Sequence, residues 1–301
     1  MQHQYNITTN NLQDNLFINK GIKLSVLRLD ELHPVISGNK IFKLHYLLEN
    51  AIKNDFERIL TFGGPYSNHL VATAYACKIN GLKSIGIVRG ECPPNVSHTL
   101  KDCINYGMQL HYISREKYVQ KESPEFLEEL LLLFGKCCII PEGGYHSLGA
   151  KGAANIMNYV NDSATHIACA VGTATTLAGL LTGINSNQQV IAIPVLKGMS
   201  DIPERLFFLN GKKYDAQQLH IENNYHFGGY AKQQQQLLDD MNELYFKFKL
   251  PTDFVYTAKM MLGIIDMIKK DFFAKGSQIV CVHTGGLQGN LSLKKGLLKY
   301  N

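Results

Sequence analysis

The sequence predicts an α/β protein, because short apolar segments alternate with segments of helical periodicity along most of the chain. Several of the short segments are apolar throughout, as expected of parallel strands that are covered on both faces. Glycines follow several of them, and in open α/β sheets such turns at strand ends are where ligands bind.

The predicted elements follow this alternation in chain order. Eight segments are predicted as strands: residues 24–29, 58–62, 84–88, 109–113, 137–140, 166–171, 190–195 and 278–283. A first helix has one apolar face made of Leu44, Leu47, Leu48, Ala51 and Ile52. A second helix carries Leu70, Ala74 and Cys77 on one face and is predicted to end with Gly81 as its C-cap.

Length and composition indicate two domains in one globular chain. A chain of 301 residues with 45% apolar residues can bury a substantial core. The alternation restarts at His166, so we expect a larger domain of residues 1–45 plus 151–301 and a smaller α/β domain of residues 46–150.

Charge and cysteine patterns exclude several classes of protein. The 30 Lys and Arg residues exceed the 25 Asp and Glu residues by five but are scattered, which argues against nucleic acid as a partner. No apolar run approaches the ~20 residues of a membrane span, and the polar first residues lack a secretory signal. The seven cysteines show no CxxC spacing, which predicts free thiols in the cytoplasm and no metal site.

Four glycine loops follow predicted strands or their neighbours, at Gly63-Gly64, Gly143-Gly144, Gly172 and Gly285-Gly286. Any one of them is explained equally well as a simple chain reversal. Because four occur together, we expect them to converge on one ligand site.

Three segments carry the candidate chemistry. In the segment 37–44, Lys40 opens a helix after a glycine turn, and a second cation, Lys43, lies one turn further on. A lysine acts as a base or as a covalent anchor when its pKa is depressed. Taken alone, however, a lysine at a helix start is usually a solvated surface group.

The other two segments each lead from a strand through a loop to a helix. In the segment 61–69, Ser67 or Asn68 can cap the helix. In the segment 170–180, a loop of small residues offers amides and hydroxyls to a phosphate at a helix start. The latter segment has neither the P-loop lysine nor the GxGxxG spacing, which disfavours a nucleotide.

Together, in order and spacing, these segments resemble the fold type II pyridoxal 5'-phosphate enzymes related to the tryptophan synthase β subunit. Within them, the chain is most similar to the branch of 1-aminocyclopropane-1-carboxylate (ACC) deaminase and D-cysteine desulfhydrase. The resemblance runs from about Leu24 to about Leu293. The matching segments are Arg28-Leu29-Asp30, Ser37-Gly38-Asn39-Lys40 with Lys43-Leu44, Tyr66-Ser67-Asn68-His69, the Gly172 loop, Gly229-Tyr230, Tyr256-Thr257-Ala258-Lys259 and His283-Thr284-Gly285-Gly286.

The resemblance implies two open twisted α/β domains with the cofactor in the cleft between them, and a homodimer acting on a small amino acid. Lys40 would attach the cofactor covalently and later move the substrate's α-proton, and Asn68 would bond the cofactor's phenolic oxygen. Ser67 would contact the substrate carboxylate or assist proton transfer, and Tyr230 and Tyr256 match active-site tyrosines. The remaining cofactor contacts would be Gly172, Thr173, Ala174, Thr175 and Thr176 around the phosphate, Thr257 at the pyridine nitrogen, and Thr284. We expect His69 to be a packing residue.

Thr257 bears on the reaction. A neutral hydroxyl at the pyridine nitrogen leaves the ring largely unprotonated, and such a weaker electron sink favours loss of a good leaving group. Members of the ACC deaminase side resemble one another in carrying a glutamate here and a leucine at the place of Thr284. We therefore expect β-elimination of a thiolate or chloride, giving pyruvate and ammonia, ahead of cyclopropane ring opening.

Alternatives remain open at this point. A racemase would use Tyr256 or Ser67 as a second base, and a non-catalytic cofactor-binding protein would share the fold. The segment 141–146 departs from the family pattern, so Glu142 or His146 either narrows the pocket or lies in a solvated loop. The segment 228–232 replaces a proline-containing loop of the family.

Overall fold

Two mainly parallel sheets organise the computed structural model, which describes residues 5–300. The strands are β1 (Thr9–Leu12), β2 (Lys23–Arg28), β3 (Arg58–Gly63), β4 (Lys83–Arg89), β5 (Met108–Ile113), β6 (Cys138–Ile140), β7 (His166–Val171), β8 (Gln189–Pro194), β9 (Leu219–Ile221) and β10 (Gln278–His283). The helices are α1 (Asn15–Lys20), α2 (Lys40–Lys53), α3 (Asn68–Ile79), α4 (His98–Asn105), α5 (Arg115–Tyr118), α6 (Pro124–Phe134), α7 (Ser147–Ala154), α8 (Thr175–Gly183), α9 (Ile202–Asn210), α10 (Gln235–Phe248) and α11 (Thr257–Lys269). Short 3-10 helices span Leu29–Glu31, Glu142–Gly144, Asn155–Tyr159, Asn223–Tyr225 and Leu287–Ser292.

The first sheet has six strands in the order β1-β2-β10-β7-β8-β9, and the second has four in the order β5-β4-β3-β6. Every pair is parallel except β1 with β2. The carboxyl ends of parallel strands lie at one edge of a sheet, so the loops that follow β3 and β6 are neighbours, as are those that follow β7 and β10.

Helices cover both faces of the first sheet, which explains its continuously apolar strands. In β7, Ile167 and Cys169 belong to one buried cluster, while Ala168 and Ala170 belong to another on the opposite face. The predicted α/β class and all eight predicted strands are therefore confirmed, within about one residue at each end.

Three details differ from the predictions. Strands β1 and β9 were not predicted; they are only four and three residues long and lie at the edges of the first sheet. The placement of Ile52 on the apolar face of α2 is wrong, since its side chain is 47% exposed. At about 100° per residue, Ile52 falls at the margin of the stripe. Gly81, in left-handed conformation, lies one residue past the C-cap Asn80.

Other sequence predictions can be compared with the described residues. All seven cysteines are free, and Cys92 alone among them is exposed. Within residues 5–300, no helix is long and apolar enough to cross a membrane. The predicted domain limits at residues 45/46 and 150/151 fall inside α2 and α7, and the division itself stays a prediction.

Candidate active site

The turn before Lys40 is held against the end of β10. Gly38 has a left-handed φ of +69°, and a Cβ there would lie 1.9 Å from the carbonyl oxygen of Thr284. The Asn39 amide donates to this same carbonyl at 3.2 Å. Only glycine allows so close a contact, and it places the first residue of α2, Lys40, beside the loop of Thr284.

The Lys40 amine is part of a hydrogen-bond chain that leads to Thr176, at the start of α8 after strand β7. Its Nζ donates to Asn39 Oδ1 at 2.8 Å, and Asn39 Nδ2 donates to Thr176 Oγ1 at 2.7 Å. Burial lowers the pKa of Lys40 to about 8, opposed in part by the charge of Asp253. Lys40 therefore has the depressed pKa that a base or covalent anchor requires.

Ser67 and Asn68 lie at the end of the loop that follows β3, where α3 begins. Ser67 is the N-cap of α3, as predicted, and its Oγ accepts the Leu70 amide at 3.3 Å. The side-chain oxygen of Asn68 is buried and has no hydrogen-bond partner among the described residues. A buried amide oxygen without a partner costs free energy, so this atom is available for a bound group.

His69 has a structural role, as expected. Its Nε2 lies 2.9 Å from Thr61 Oγ1, and Thr61 donates its own proton to Ile140 O at 2.8 Å. Burial, together with the charges of Lys40 and Lys43, lowers the pKa of His69 well below its ordinary value. His69 is therefore neutral and packs α3 against the strands of the second sheet.

The loop after β7 presents an uncapped helix start. Ala174 is in the left-handed conformation at the N-cap of α8 and makes no side-chain capping bond. The Thr173 and Thr175 hydroxyls lie 2.9 Å apart, while Thr175 and Thr176 are buried. The free amides of the first turn, with these hydroxyls, suit an anion such as a phosphate.

Lys43 adds a buried amine that sequence reasoning noted but assigned no role. It is 4% exposed, and no carboxylate of the described residues forms an ion pair with it. Gly143 lies against Thr173 and Gly144 against Lys43, so one glycine loop borders both. Burial and the charge of Lys40 lower the pKa of Lys43, and a bound anion would offset the cost of burying its ammonium.

The two predicted tyrosines meet at the opening of the site. Their hydroxyls are 3.4 Å apart and their rings 6.0 Å apart at 75°. Tyr256 covers Gly172, where a Cβ would lie 3.2 Å from its ring. Burial, with Tyr230 nearby, raises the pKa of Tyr256 well above its usual value, so its phenol keeps its proton at neutral pH.

Sequence reasoning missed Asp253 and assigned no role to Lys259, and both groups are buried next to these tyrosines. The Asp253 carboxylate accepts the Thr257 amide at 2.9 Å and the Thr257 hydroxyl at 2.7 Å, and the Asp253 amide donates back to this hydroxyl at 2.7 Å. Fully buried Lys259 donates to the Gly229 carbonyl at 2.7 Å and so anchors the loop that carries Tyr230. The sequence did offer a signal for Asp253, because an aspartate four residues before Thr257, at the start of an apolar helix, is placed to bond the first turn of that helix.

The predicted site residues thus form one connected group across both sheets. Two contacts join the loops of the two sheets. Gly143 of the second sheet lies against Thr173 of the first, and a Cβ on Gly286 of the first sheet would lie 3.3 Å from Asn68 Nδ2 of the second. The expected convergence of the four glycine loops is confirmed. His146 is the N-cap of α7, because its Nδ1 accepts the Leu148 amide at 3.1 Å.

This arrangement fits the cofactor that the resemblance implies. The unpartnered Asn68 oxygen, the uncapped start of α8 with Lys43, and the Lys40 amine are chemically suited to its phenolic, phosphate and aldehyde groups, respectively. Among residues 5–300 no group of three or more His, Cys, Asp or Glu side chains is placed to hold a metal ion.

Comparisons with known proteins agree with this chemistry. The sequence profile of a family described as pyridoxal-phosphate dependent enzymes matches residues 12–285. A Thermotoga maritima protein, provisionally named as an ACC deaminase, is 31% identical over 92% of this chain and 93% of its own length. A mitochondrial Arabidopsis thaliana protein named bifunctional D-cysteine desulfhydrase and ACC deaminase is 29% identical over 89% of this chain and 73% of its own. A solved structure described as an ACC deaminase homologue has a TM-score of 0.79 at 27% identity, covering 95% of this chain and 91% of that one.

Proposed function

This chain belongs to the family of pyridoxal-phosphate dependent enzymes, and we propose that it eliminates the β-substituent of a small amino acid to give a 2-keto acid and ammonia. The single observation that carries the proposal is the Lys40 amine, whose pKa burial lowers to about 8 where the loops of the two sheets meet. The fold is that of fold type II enzymes, and the cofactor is pyridoxal phosphate.

The residues that would hold the cofactor are those whose bonding capacity the protein leaves unused. Asn68 would bond its phenolic oxygen, and the amides and hydroxyls from Gly172 to Thr176, with Lys43, would hold its phosphate. Thr257 and Thr284 would lie beside its ring. When bound, the cofactor supplies a conjugated ring into which negative charge from the substrate's Cα spreads.

Lys40 would move the α-proton in this mechanism. Burial lowers the pKa of the free Lys40 amine to about 8, so it gives up its proton more readily than an ordinary lysine does. The bond from Nζ to Asn39 Oδ1 holds the amine in place. Ser67, at the start of α3, would orient the substrate's carboxylate.

Tyr256 and Tyr230 would serve the leaving group. The Tyr256 ring borders Gly172, and the Tyr230 hydroxyl lies 3.4 Å from the Tyr256 hydroxyl. Because burial raises its pKa, Tyr256 keeps its proton at neutral pH and would donate a hydrogen bond to a departing thiolate. The Tyr230 ring also covers the site from the solvent side, since Lys259 fixes its loop.

Thr257 is not an isolated hydroxyl. Its proton goes to Asp253, so it offers a lone pair rather than a proton to a group on its other side. The buried Asp253 carboxylate is therefore hydrogen-bonded to the hydroxyl that is expected to face the pyridine nitrogen. Because a negative charge lies this close to the ring position, Thr257 disfavours cyclopropane ring opening less than an isolated hydroxyl would. ACC deamination is therefore the second candidate, supported by the names of the relatives.

Three finer proposals accompany this function. We propose that the protein works in the cytoplasm, supported by its free cysteines, and as a homodimer, supported by exposed apolar side chains such as Leu132 and Phe246. The domain division at residues 45/46 and 150/151 is the third.

The test combines a substrate screen with chemical trapping. Keto-acid release is measured with D-cysteine, L-cysteine, β-chloroalanine, D-serine and ACC, for the natural protein, Lys40→Ala, and Lys53→Ala as a control at the exposed end of α2. We expect activity to disappear in Lys40→Ala alone. Borohydride reduction of the cofactor-loaded enzyme followed by peptide mapping should label Lys40, and label on another lysine would refute the mechanism.

A further inference from the structure

Arg89 ends β4 at the same edge of the second sheet from which Ser67 and Asn68 emerge. Its guanidinium lies directly over Gly64, where a Cβ would be 3.4 Å from Nη2. Because Gly64 has no side chain, nothing separates this guanidinium from the backbone of the loop that leads to Ser67.

Arg89 is exposed, contacts an aromatic ring and forms no ion pair with the described residues. Its guanidinium carbon lies 5.8 Å from the centre of the Tyr118 ring, a cation–π contact that orients the planar group. No carboxylate of residues 5–300 forms an ion pair with it. The neighbouring cation, Lys121, differs in this respect, since it pairs with Glu122 at 3.5 Å and Glu142 at 3.8 Å.

Two polar side chains that interact with each other lie beside Arg89. The Tyr118 hydroxyl is buried and is close enough to the Glu142 carboxylate to affect its ionisation. Glu142 lies close by, and its burial raises the pKa of its carboxyl. Arg89, Tyr118 and Glu142 all interact electrostatically with Tyr230, so this group faces the tyrosines of the candidate active site.

We propose that Arg89 binds the α-carboxylate of the amino-acid substrate, an inference that rests on the proposed function. A guanidinium presents two parallel N–H donors that match a carboxylate. Arg89 offers them above the loop of Ser67, at the carboxyl end of a parallel strand, where ligands of such sheets bind. Glu142, which the sequence left without a role, lies 3.8 Å from Lys121 and makes no ion pair with Arg89, although the Arg89 charge opposes the rise that burial causes in its pKa.

The experiment measures binding rather than turnover. Alanine has a carboxylate but no leaving group, and alaninamide has neither, so both are titrated as D and L forms into the cofactor-loaded enzyme while its absorbance is followed. The variants are Arg89→Gln, Arg89→Lys, and Lys121→Gln as the matched control. Because no elimination is needed, the titration can succeed even if no substrate in the screen yields a keto acid.

We expect Arg89→Gln to weaken alanine binding about tenfold or more, Arg89→Lys to weaken it less, and Lys121→Gln to change it less than about twofold. Alaninamide binding should stay within about twofold in every variant. The proposal is overturned if alanine binding is unchanged in Arg89→Gln, or if alanine and alaninamide weaken equally.

Discussion

Gly38→Ala should disable the site through one backbone contact, and Gly81→Ala provides a matched control. Both glycines have nearly the same left-handed φ, +69° and +70°, so each substitution carries the same conformational cost of about 1–2 kcal/mol. A Cβ at Gly81 meets nothing within 4 Å, whereas at Gly38 it lies 1.9 Å from the Thr284 carbonyl oxygen.

The difference between the two variants isolates this contact. An ordinary contact begins at 3.4 Å, so the loops of Gly38 and Thr284 must separate by about 1.5 Å. Such overpacking costs about 1–3 kcal/mol, and loss of the bond from the Asn39 amide adds about 1 kcal/mol. We therefore expect Gly38→Ala to lose about 2–4 kcal/mol more than Gly81→Ala.

Denaturant unfolding of both variants, each with and without cofactor, measures this difference. Gly38→Ala should also bind the cofactor at least about tenfold more weakly, because Lys40 and Asn39 move with the loop. Gly81→Ala should bind it normally. Equal unfolding midpoints and equal cofactor affinities for the two variants would refute the reasoning.

Three further outcomes are expected. The rate at which the apoprotein takes up the cofactor should rise with pH and level off above about 8, because the free Lys40 amine must lose its proton before it can bond to the cofactor's aldehyde; an uptake rate that is flat from pH 6 to 9 would contradict this. Asn68→Ala should weaken cofactor binding about tenfold in equilibrium dialysis, while Asn80→Ala, at the other end of α3, should leave it unchanged. Lys43→Met should raise the thermal midpoint of the apoprotein, since it removes a buried unpaired amine, yet weaken cofactor binding; a lowered apoprotein midpoint with normal affinity would show that Lys43 is structural.

How far the sequence predicts the fold depends on whether a signal is local. Four of the eight predicted strands, residues 137–140, 166–171, 190–195 and 278–283, contain runs of four or more apolar residues. The last three lie in the first sheet and are buried on both faces, which accounts for that pattern. Strand β1, with the sequence TNNL, is polar and forms only by pairing with β2. Asparagine is rare in strands, so β1 is extended because it pairs with β2 and not because of its own residues.

The same holds for the residues of the site: some are recognisable from neighbouring residues in the sequence, and others only from contacts in the folded chain. Lys40, Ser67 and the Gly172 loop were found because each lies in a short recognisable segment. Arg89 lies outside the candidate segments, and Lys259 lies in a matching segment that assigned it no role. The importance of both comes from contacts with Gly64 and Gly229, which are distant in sequence. Such contacts exist only once the two sheets are assembled.

The pair Lys40 and Lys43 explains why these separate segments must occur together. The two amines project from adjacent turns of α2 into a low-dielectric interior, and the charge of Lys40 opposes ionisation of Lys43. Without an anion, burying both is unfavourable, so the apoprotein carries a local instability at the start of α2. The uncapped start of α8 lies at the end of the bond chain from Lys40 through Asn39 to Thr176, and it can hold a phosphate between these groups. Binding of an anionic cofactor therefore stabilises the fold and the reactive lysine by the same interactions.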